Sequence, residues 1–339
     1  MITTTTTKED CMKQYLITTD IHFSIDKIMG EAEWFLGWFG HYFPKFAKRC
    51  NQGAAFHIQE TFLEASKHGP YCGLIELGDR THGTEKDTGI DTPHAIKEAN
   101  CALELLKNSF PEIPPQCLYL VPGNHDLGWA LSSFTRWGNG YLQKSLAQYR
   151  QIYGPLFGAN KIGDDTVLIR LTSEPFFYDY KDPKVFKNGD GPLKAKQRVR
   201  LLRSELETQL AFLKSTLEAI SANDQKFILA VHEPSALLSP KLRAALDPYR
   251  DRLLVTLTGH VHARWLMNSI NLVRPKLNLV FAKYKIQMIP SVWGIDLPVP
   301  GLSWGPGAGW ARLTFEGGGR KTLYLYHTNR QRFYGIRLS

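Results

Sequence analysis

Short hydrophobic runs dominate this chain, and five of them end abruptly in Asp, Asn or His. The runs are rich in β-branched residues and have the length of buried strands. Because α/β sheets bind their ligands beyond the carboxyl ends of their strands, we expect these five ends to share one site. With their polar ends, the runs cover residues 15–22, 73–79, 117–126, 227–232 and 253–262.

Helices are predicted between these strands. Thr92 suits an N-cap and Pro93 the first position of a helix over 93–110. Apolar residues at helical spacing predict another over 201–223, with Leu206, Leu210, Leu213 and Leu217 facing the core. The remaining predictions are helices over 57–67 and 142–153, a strand over 166–172, and antiparallel strands over 277–288, 310–315, 322–326 and 333–337.

The polar strand ends also determine the domain organisation. They extend from Asp20 to His262, so a domain boundary between them would divide the site. We therefore predict a flexible tail over 1–14 and one α/β domain over 15–339, with insertions at about 23–56 and 174–200.

The two insertions each allow two interpretations. In 23–56, Trp34, Trp38 and Tyr42 recur at helical spacing, which fits either a helix on the core or a cap that faces lipid. The second insertion is rich in Lys and Arg. It fits either a solvated loop or a platform for a polyanionic substrate.

Charge and cysteine content narrow the class of protein. A formal net charge of +9 favours anionic partners, such as phosphorylated metabolites, nucleic acid or anionic lipid. The five cysteines are odd in number and form no Cys-x-x-Cys pair, which favours a reducing, cytoplasmic location. No apolar run approaches the roughly 18 residues that span a bilayer, so we expect a soluble protein.

The residues at the strand ends have the chemistry of metal ligands. Two carboxylates, one amide oxygen and four imidazoles, with no thiolate, suit manganese, iron or zinc. Side chains two apart on a strand project to the same side, so each of the two pairs can bind an ion. The set exceeds what one ion needs, and two ions bridged by one carboxylate fit it. The candidates are Asp20, His22, Asp79, Asn124, His232, His260 and His262.

In these motifs the chain resembles the calcineurin-like metallophosphoesterases. The pattern is Asp-x-His at 20–22, Gly-Asp at 78–79, Gly-Asn-His-Asp at 123–126, His232, and Gly-His-x-His at 259–262. The resemblance covers roughly 15–265. It implies a sandwich of two mixed β-sheets flanked by helices, and hydrolysis of phosphate esters through a metal-bridging hydroxide.

The resemblance also assigns roles to the residues. It implies that Asp20, His22, Asp79 and His262 hold one metal, that Asp79, Asn124, His232 and His260 hold the other, and that Asp79 bridges. His125 then lies near the phosphate, free of coordination, as the general acid.

Three further residues are candidates beside the metals. Asp126 either orients His125 or serves the turn, and Arg80 either clamps phosphate or lies at the surface. Protein phosphatases of this superfamily have an acidic residue three positions after the bridging Asp, but here that position is His82, which is more similar to the DNA-repair exonucleases.

These observations together predict a phosphodiesterase or pyrophosphatase that acts on a nucleotide-like or lipid-linked phosphate. A DNA or RNA nuclease is the alternative. A non-catalytic scaffold is less favoured, because the chain retains every ligand motif. Contact with a membrane surface stays open, and the sequence does not identify the substrate or the oligomeric state.

Overall fold

The computed structural model describes residues 12–23, 58–81, 90, 92–128, 130–131, 136–137, 143–180, 192–260, 296–298, 309–327 and 332–338. Within these ranges the strands are β1 (Lys13–Thr18), β2 (Gly73–Glu76), β3 (Leu118–Leu120), β4 (Ala130–Leu131), β5 (Arg136–Trp137), β6 (Gly158–Lys161), β7 (Thr166–Arg170), β8 (Lys226–Val231), β9 (Leu253–Thr258), β10 (Asp296–Pro298), β11 (Gly309–Phe315), β12 (Lys321–His327) and β13 (Arg332–Leu338).

Two mixed sheets form the centre of the fold. One has the strand order β13-β12-β11-β1-β2-β3 and the other β10-β9-β8-β7-β6, while β4 and β5 pair separately. Strands β1, β2 and β3 are parallel, as are β7, β8, β9 and β10; the remaining pairs are antiparallel. All five runs that carry polar ends are therefore strands, and within each sheet their carboxyl ends lie at one edge.

Helices cover the outer faces of both sheets. Thr92 caps the second helix as predicted, because its hydroxyl accepts a hydrogen bond of 3.1 Å from the amide of Ala95. The helices are α1 (58–66), α2 (Pro93–Ser109), α3 (Asn124–Leu127), α4 (Gln143–Tyr153), α5 (Ser173–Tyr180), α6 (Pro192–Ala222) and α7 (Pro240–Leu246), with short 3-10 turns at Pro115–Cys117, Pro234–Leu238, Asp247–Arg252 and Gly317–Gly319.

Alternating side chains divide the core into layers. On β1, Ile17 packs between the sheets, whereas Leu16 packs outward against α1 and α2. On β8, Ile228 faces the inner layer and Leu229 faces α5, α6 and α7. Strands buried on both faces lack a polar side, which explains why they appear in the sequence as continuous hydrophobic runs. The predicted sandwich of two mixed sheets flanked by helices is confirmed.

The interpretation of 174–200 as a loop is wrong for the described part of that segment. Residues 174–180 belong to α5, and α6 begins at Pro192, nine residues before the predicted start. Arg198 is buried, with 4% of its surface exposed, so it does not contribute to a basic surface. Residues 181–191 and the aromatic insertion lie outside the described residues.

No helix among the described residues is both long enough and apolar enough to cross a membrane.

The inner layer predicts a large contrast between two leucines. Leu313 on β11 is fully buried between the sheets, whereas Leu63 on α1 is 60% exposed. We expect Leu313→Ala to lower the free energy of unfolding by about 2–5 kcal/mol, since it leaves a cavity. Leu63→Ala should change it by less than about 0.5 kcal/mol. Urea denaturation measures both, and equal effects would contradict the layer assignment.

Candidate metal centre

The backbone at the site is strained at four of the predicted ligands. Asp20, His22, Asp79 and His260 have φ angles of 55°, 48°, 58° and 65°. Such left-handed conformations cost about 1–2 kcal/mol per residue outside glycine and concentrate at functional sites. We predicted that the regular alternation of a strand would direct Asp20 and His22 to the same side. That reason is wrong. Both residues lie beyond the end of β1, and strained turns aim their side chains.

Backbone hydrogen bonds extend the pairing of β1 and β2 into these turns. The amide of Asp20 donates to the carbonyl of Gly78, and the amide of His22 donates to the carbonyl of Asp79, each at 2.9 Å. A third bond, of 2.9 Å, joins the amide of Gly259 to the carbonyl of His232. The strand ends are thus held side by side by main-chain contacts.

Each aspartate has one oxygen fixed by hydrogen bonds and the other directed to imidazoles. Asp20 Oδ2 accepts from the Thr19 hydroxyl at 2.7 Å and from the His260 amide at 3.0 Å. Asp79 Oδ1 accepts from the His125 amide at 2.8 Å. The second oxygens, Asp20 Oδ1 and Asp79 Oδ2, lie 3.7 and 3.8 Å from His22 Nε2. The fixed oxygens set the orientation of the second ones.

Asn124, His232 and His260 form the other half of the site. Asn124 Oδ1 lies 3.0 Å from His232 Nε2 and 3.1 Å from His260 Nδ1. His232 Nε2 also lies 3.0 Å from Asp79 Oδ2. On the far side of the ring, His232 Nδ1 donates to the carbonyl of Leu77 at 2.7 Å, which directs Nε2 into the site.

Two groups of potential ligands therefore meet at Asp79. One consists of His22, Asp79 and His125, the other of Asp79, His232 and His260, and within each group the ligand atoms lie within 4.8 Å of one another. Asp79 is fully buried, whereas His125 and His260 are half-buried, so the site opens on their side. His125 is itself in the first group of potential ligands, whereas the sequence interpretation described it as free of coordination.

These distances fit bound cations. Nε2 of His22 is too far from the two carboxylate oxygens for a hydrogen bond. Two donors that each lie about 2.1 Å from one ion are separated by about 3.5 Å, which is close to what is observed. The buried Asp79 Oδ2 lies between two imidazoles, with His232 Nε2 at 3.0 Å and His22 Nε2 at 3.8 Å. We conclude that the donor set suits metal ions.

The electrostatics of Asp79 point the same way. Burial alone would raise the pKa of Asp79, but the imidazoles of His232, His125 and His22 outweigh it and hold that pKa well below its usual range. Burial would lower the pKa of His232, yet the Asp79 carboxylate raises it to about 10. Because the Asp79 carboxylate stabilises positive charge on the neighbouring imidazoles, we conclude that a cation is favoured at this position.

Glycines allow the strand ends to approach one another. A Cβ at Gly123 would lie 2.0 Å from the Asp79 amide nitrogen and 2.2 Å from Asp79 Oδ1. A Cβ at Gly259 would lie 2.1 Å from the Thr19 hydroxyl, which holds Asp20. Both motif glycines are therefore required by contacts at metal ligands.

Asp126 joins the turn after β2 to the turn after β3. Its carboxylate accepts from the amides of Gly123, Asp79, Arg80 and Thr81 at distances from 3.0 to 3.2 Å. These bonds fix the backbone on both sides of the site. Of the two interpretations of Asp126, the geometry fits the turn.

Arg80 is not a surface residue. It is fully buried, and its guanidinium pairs with Glu76 and with Asp126 Oδ2, the latter at 2.9 Å. It also donates to the Tyr149 hydroxyl at 2.6 Å and to the Val121 carbonyl at 3.0 Å. Burial works against the charge of Arg80, but Asp126 and its other partners raise its pKa well above the usual value. Arg80 thus supports the site through Asp126.

Two candidates, His82 and His262, lie outside the described residues. The sequence patterns did not identify several groups that hold the site: Thr19, Glu76 and Tyr149. Glu76, two residues before Gly-Asp, was the only available signal, because Tyr149 is distant in sequence from Arg80, which it contacts at the site.

The site therefore defines an α/β protein with potential metal ligands at its strand ends. A family model described as calcineurin-like phosphoesterase matches residues 14–264. The chain belongs to this calcineurin-like phosphoesterase family. A search of curated proteins returned no match.

Among solved structures, one similar chain is described as "GAP50 the anchor in the inner membrane complex of Plasmodium". The two chains are 10% identical and superpose with a TM-score of 0.47, over 97% of this chain and 89% of the other.

The contacts at Gly123 predict that one methyl group disrupts the centre. We expect Gly123→Ala to lose metal binding, because its Cβ would displace the Asp79 backbone and carboxylate. Metal content after dialysis against manganese measures this. Gly154→Ala is the control: nothing lies within 4 Å of its Cβ position, and its φ of 89° adds a backbone strain that Gly123, with a φ of −98°, does not have. Normal metal content in Gly123→Ala would contradict the geometry.

The contacts of Asp126 predict a loss of stability when its charge is removed. Asp126→Asn removes the charge of one of the two carboxylates that pair with the buried Arg80. This should lower the free energy of unfolding by about 3–5 kcal/mol. The measurement is urea denaturation in a chelator, so that metals do not contribute. Asp164→Asn, which removes an exposed carboxylate paired with Lys13, should have no measurable effect. Full stability with lost activity would instead place Asp126 in the chemistry.

Proposed function

We propose that this protein is a dinuclear metal-dependent hydrolase of phosphate esters. The observation that carries the proposal is the position of Asp79, which belongs to both groups of potential ligands. A bridging carboxylate is what two adjacent ions require, and one ion would leave part of the donor set unused. Oxygen and nitrogen donors without thiolate favour manganese, iron or zinc.

The ions would supply an activated water and neutralise the charge that develops on the phosphate. By the distances above, Asp20 and His22 would serve one ion and Asn124, His232 and His260 the other. We assign His262 to the first ion from the family motif. The hydrogen bonds to Asp20 Oδ2 and Asp79 Oδ1 leave the second oxygens oriented before any ion binds.

We assign the transfer of a proton to the leaving oxygen to His125. Its backbone is fixed by the bond from its amide to Asp79, while its ring is half-buried at the open side. The ring packs edge-on against His22, with centroids 4.7 Å apart. A ring held in this way can contact a substrate while part of it remains exposed to solvent. General acid catalysis of this kind is worth about a hundredfold to ten-thousandfold in rate.

For the substrate we favour a phosphodiester or pyrophosphate of nucleotide-like or lipid-linked chemistry. The net charge of +9 supports an anionic substrate, and the absence of the acidic residue at position 82 argues against a protein phosphatase. The cysteine pattern supports a reducing, cytoplasmic compartment. A nuclease is the second candidate, supported by His82, although the burial of Arg198 removes one cation from the basic surface that it would need.

Hydrolysis of a nitrophenyl phosphodiester and the matching monoester, with manganese supplied, tests the proposal. We expect the wild-type protein to cleave the diester, His125→Ala to lose at least about a hundredfold in kcat because the leaving group is no longer protonated, and Asp79→Asn to be inactive. His94→Ala is the control, since His94 lies on α2 and pairs with Glu98. No cleavage by wild-type protein that contains both metals would contradict the assignment.

Oligonucleotides separate the two candidates. A nuclease should degrade them at low salt, and its affinity should fall steeply as salt rises, because phosphate contacts release counterions. We expect instead that small nitrophenyl diesters are cleaved while oligonucleotides are not. Degradation that depends steeply on salt would favour the nuclease.

A further inference from the structure

A sixth strand end reaches the same edge of the fold. β7 runs parallel to β8 and ends at Arg170, and Glu174 lies four residues later in the first turn of α5. The Leu171 amide donates to the Ala230 carbonyl at 3.0 Å. The Ser173 hydroxyl accepts from the amide of Glu233 at 2.9 Å. These two bonds hold the start of α5 against the residues on either side of the end of β8, where His232 is located.

The Glu174 side chain is buried without a hydrogen bond. Only 3% of its surface is exposed, and neither carboxylate oxygen has a hydrogen-bond partner in the described part of the chain. Burying such a group costs free energy unless a charge or a hydrogen bond compensates it. A fold that retains a buried carboxylate of this kind needs something to bind it.

The electrostatic surroundings of Glu174 identify the neighbouring groups. Burial raises the pKa of Glu174 to about 8, the His232 imidazole lowers it, and the Glu233 and Asp79 carboxylates raise it. Glu233 itself contacts the Ser235 hydroxyl. Two of these neighbours, His232 and Asp79, are ligands of the second metal position. Together with the contact between Ser173 and Glu233, these neighbours place the Glu174 side chain on the His232 side of the site.

We propose that Glu174 is a positioning residue of the metal centre, which adds negative charge beside the cation position defined by His232 and Asp79 and is the third carboxylate of the whole centre. The inference rests on the proposed function. Glu174 is not itself in either group of potential ligands, and none of the five motifs contains it. Its negative charge would favour a cation at this position through electrostatic attraction. The Glu174 carboxylate also lowers the net positive charge of the centre with its metals bound, which weakens the binding of an anionic product.

Manganese binding by wild-type protein and by Glu174→Gln tests this inference. The substitution keeps the shape of the side chain and removes its charge. We expect calorimetric titration to show two ions in the wild type, and one of them to bind about 10–100-fold more weakly in Glu174→Gln. Glu98→Gln, which changes a fully buried glutamate on α2 that pairs with His94, should leave both affinities unchanged.

Thermal unfolding separates this role from a purely structural one. In a chelator at a pH above the raised pKa of Glu174, we expect Glu174→Gln to have a Tm at least as high as the wild type, because it removes a buried charge that has no hydrogen bond. With saturating manganese, its gain in Tm should be smaller than that of the wild type, since the ligand binds more weakly.

The outcomes distinguish the inference from the function on which it rests. Two ions in the wild type with unchanged affinities in Glu174→Gln would overturn the inference and leave the proposed function standing. A lower Tm in the chelator with unchanged affinities would also overturn it, in favour of a structural role. Fewer than two ions in the wild type would overturn the dinuclear centre, and the inference with it.

Discussion

The carboxylate of Asp126 is the constraint on which the site depends. It gathers four backbone amides from the turns after β2 and β3, and it is held in turn by Arg80. Without it, two adjacent turns would each expose unpaired amides in a buried region. Because Asp79 lies in one of these turns and Asn124 and His125 in the other, the bonds that stabilise the fold also fix the ligands relative to one another.

The rest of the site combines strain with charge. Four ligands adopt left-handed backbone conformations, and each is held there by bonds from neighbouring strand ends. The imidazoles and carboxylates that face one another are buried together and balance each other only in part. Both features cost stability, and the packed layers between and outside the sheets must supply it. Metal binding would return part of that cost, because a cation compensates the charge of the buried carboxylates.

Much of this could be predicted from the sequence, because strands buried on both faces stand out as hydrophobic runs and their polar ends stand out against them. The ligands on the described strand ends lie where those ends predicted. The turn geometry could not be predicted: regular alternation on a strand gave a wrong reason for Asp20 and His22. Arg80 was misjudged because its partners, Asp126 and Tyr149, are far away in sequence. Glu174 was overlooked because the segment that contains most of α5 and the start of α6 was interpreted as an insertion.

An anomalous diffraction measurement on crystals soaked in manganese tests the central claim most directly. We expect two peaks about 3.5–4 Å apart, one on each side of Asp79, with His22 beside the first and His232 beside the second. A single peak, or two peaks that do not share Asp79, would contradict it.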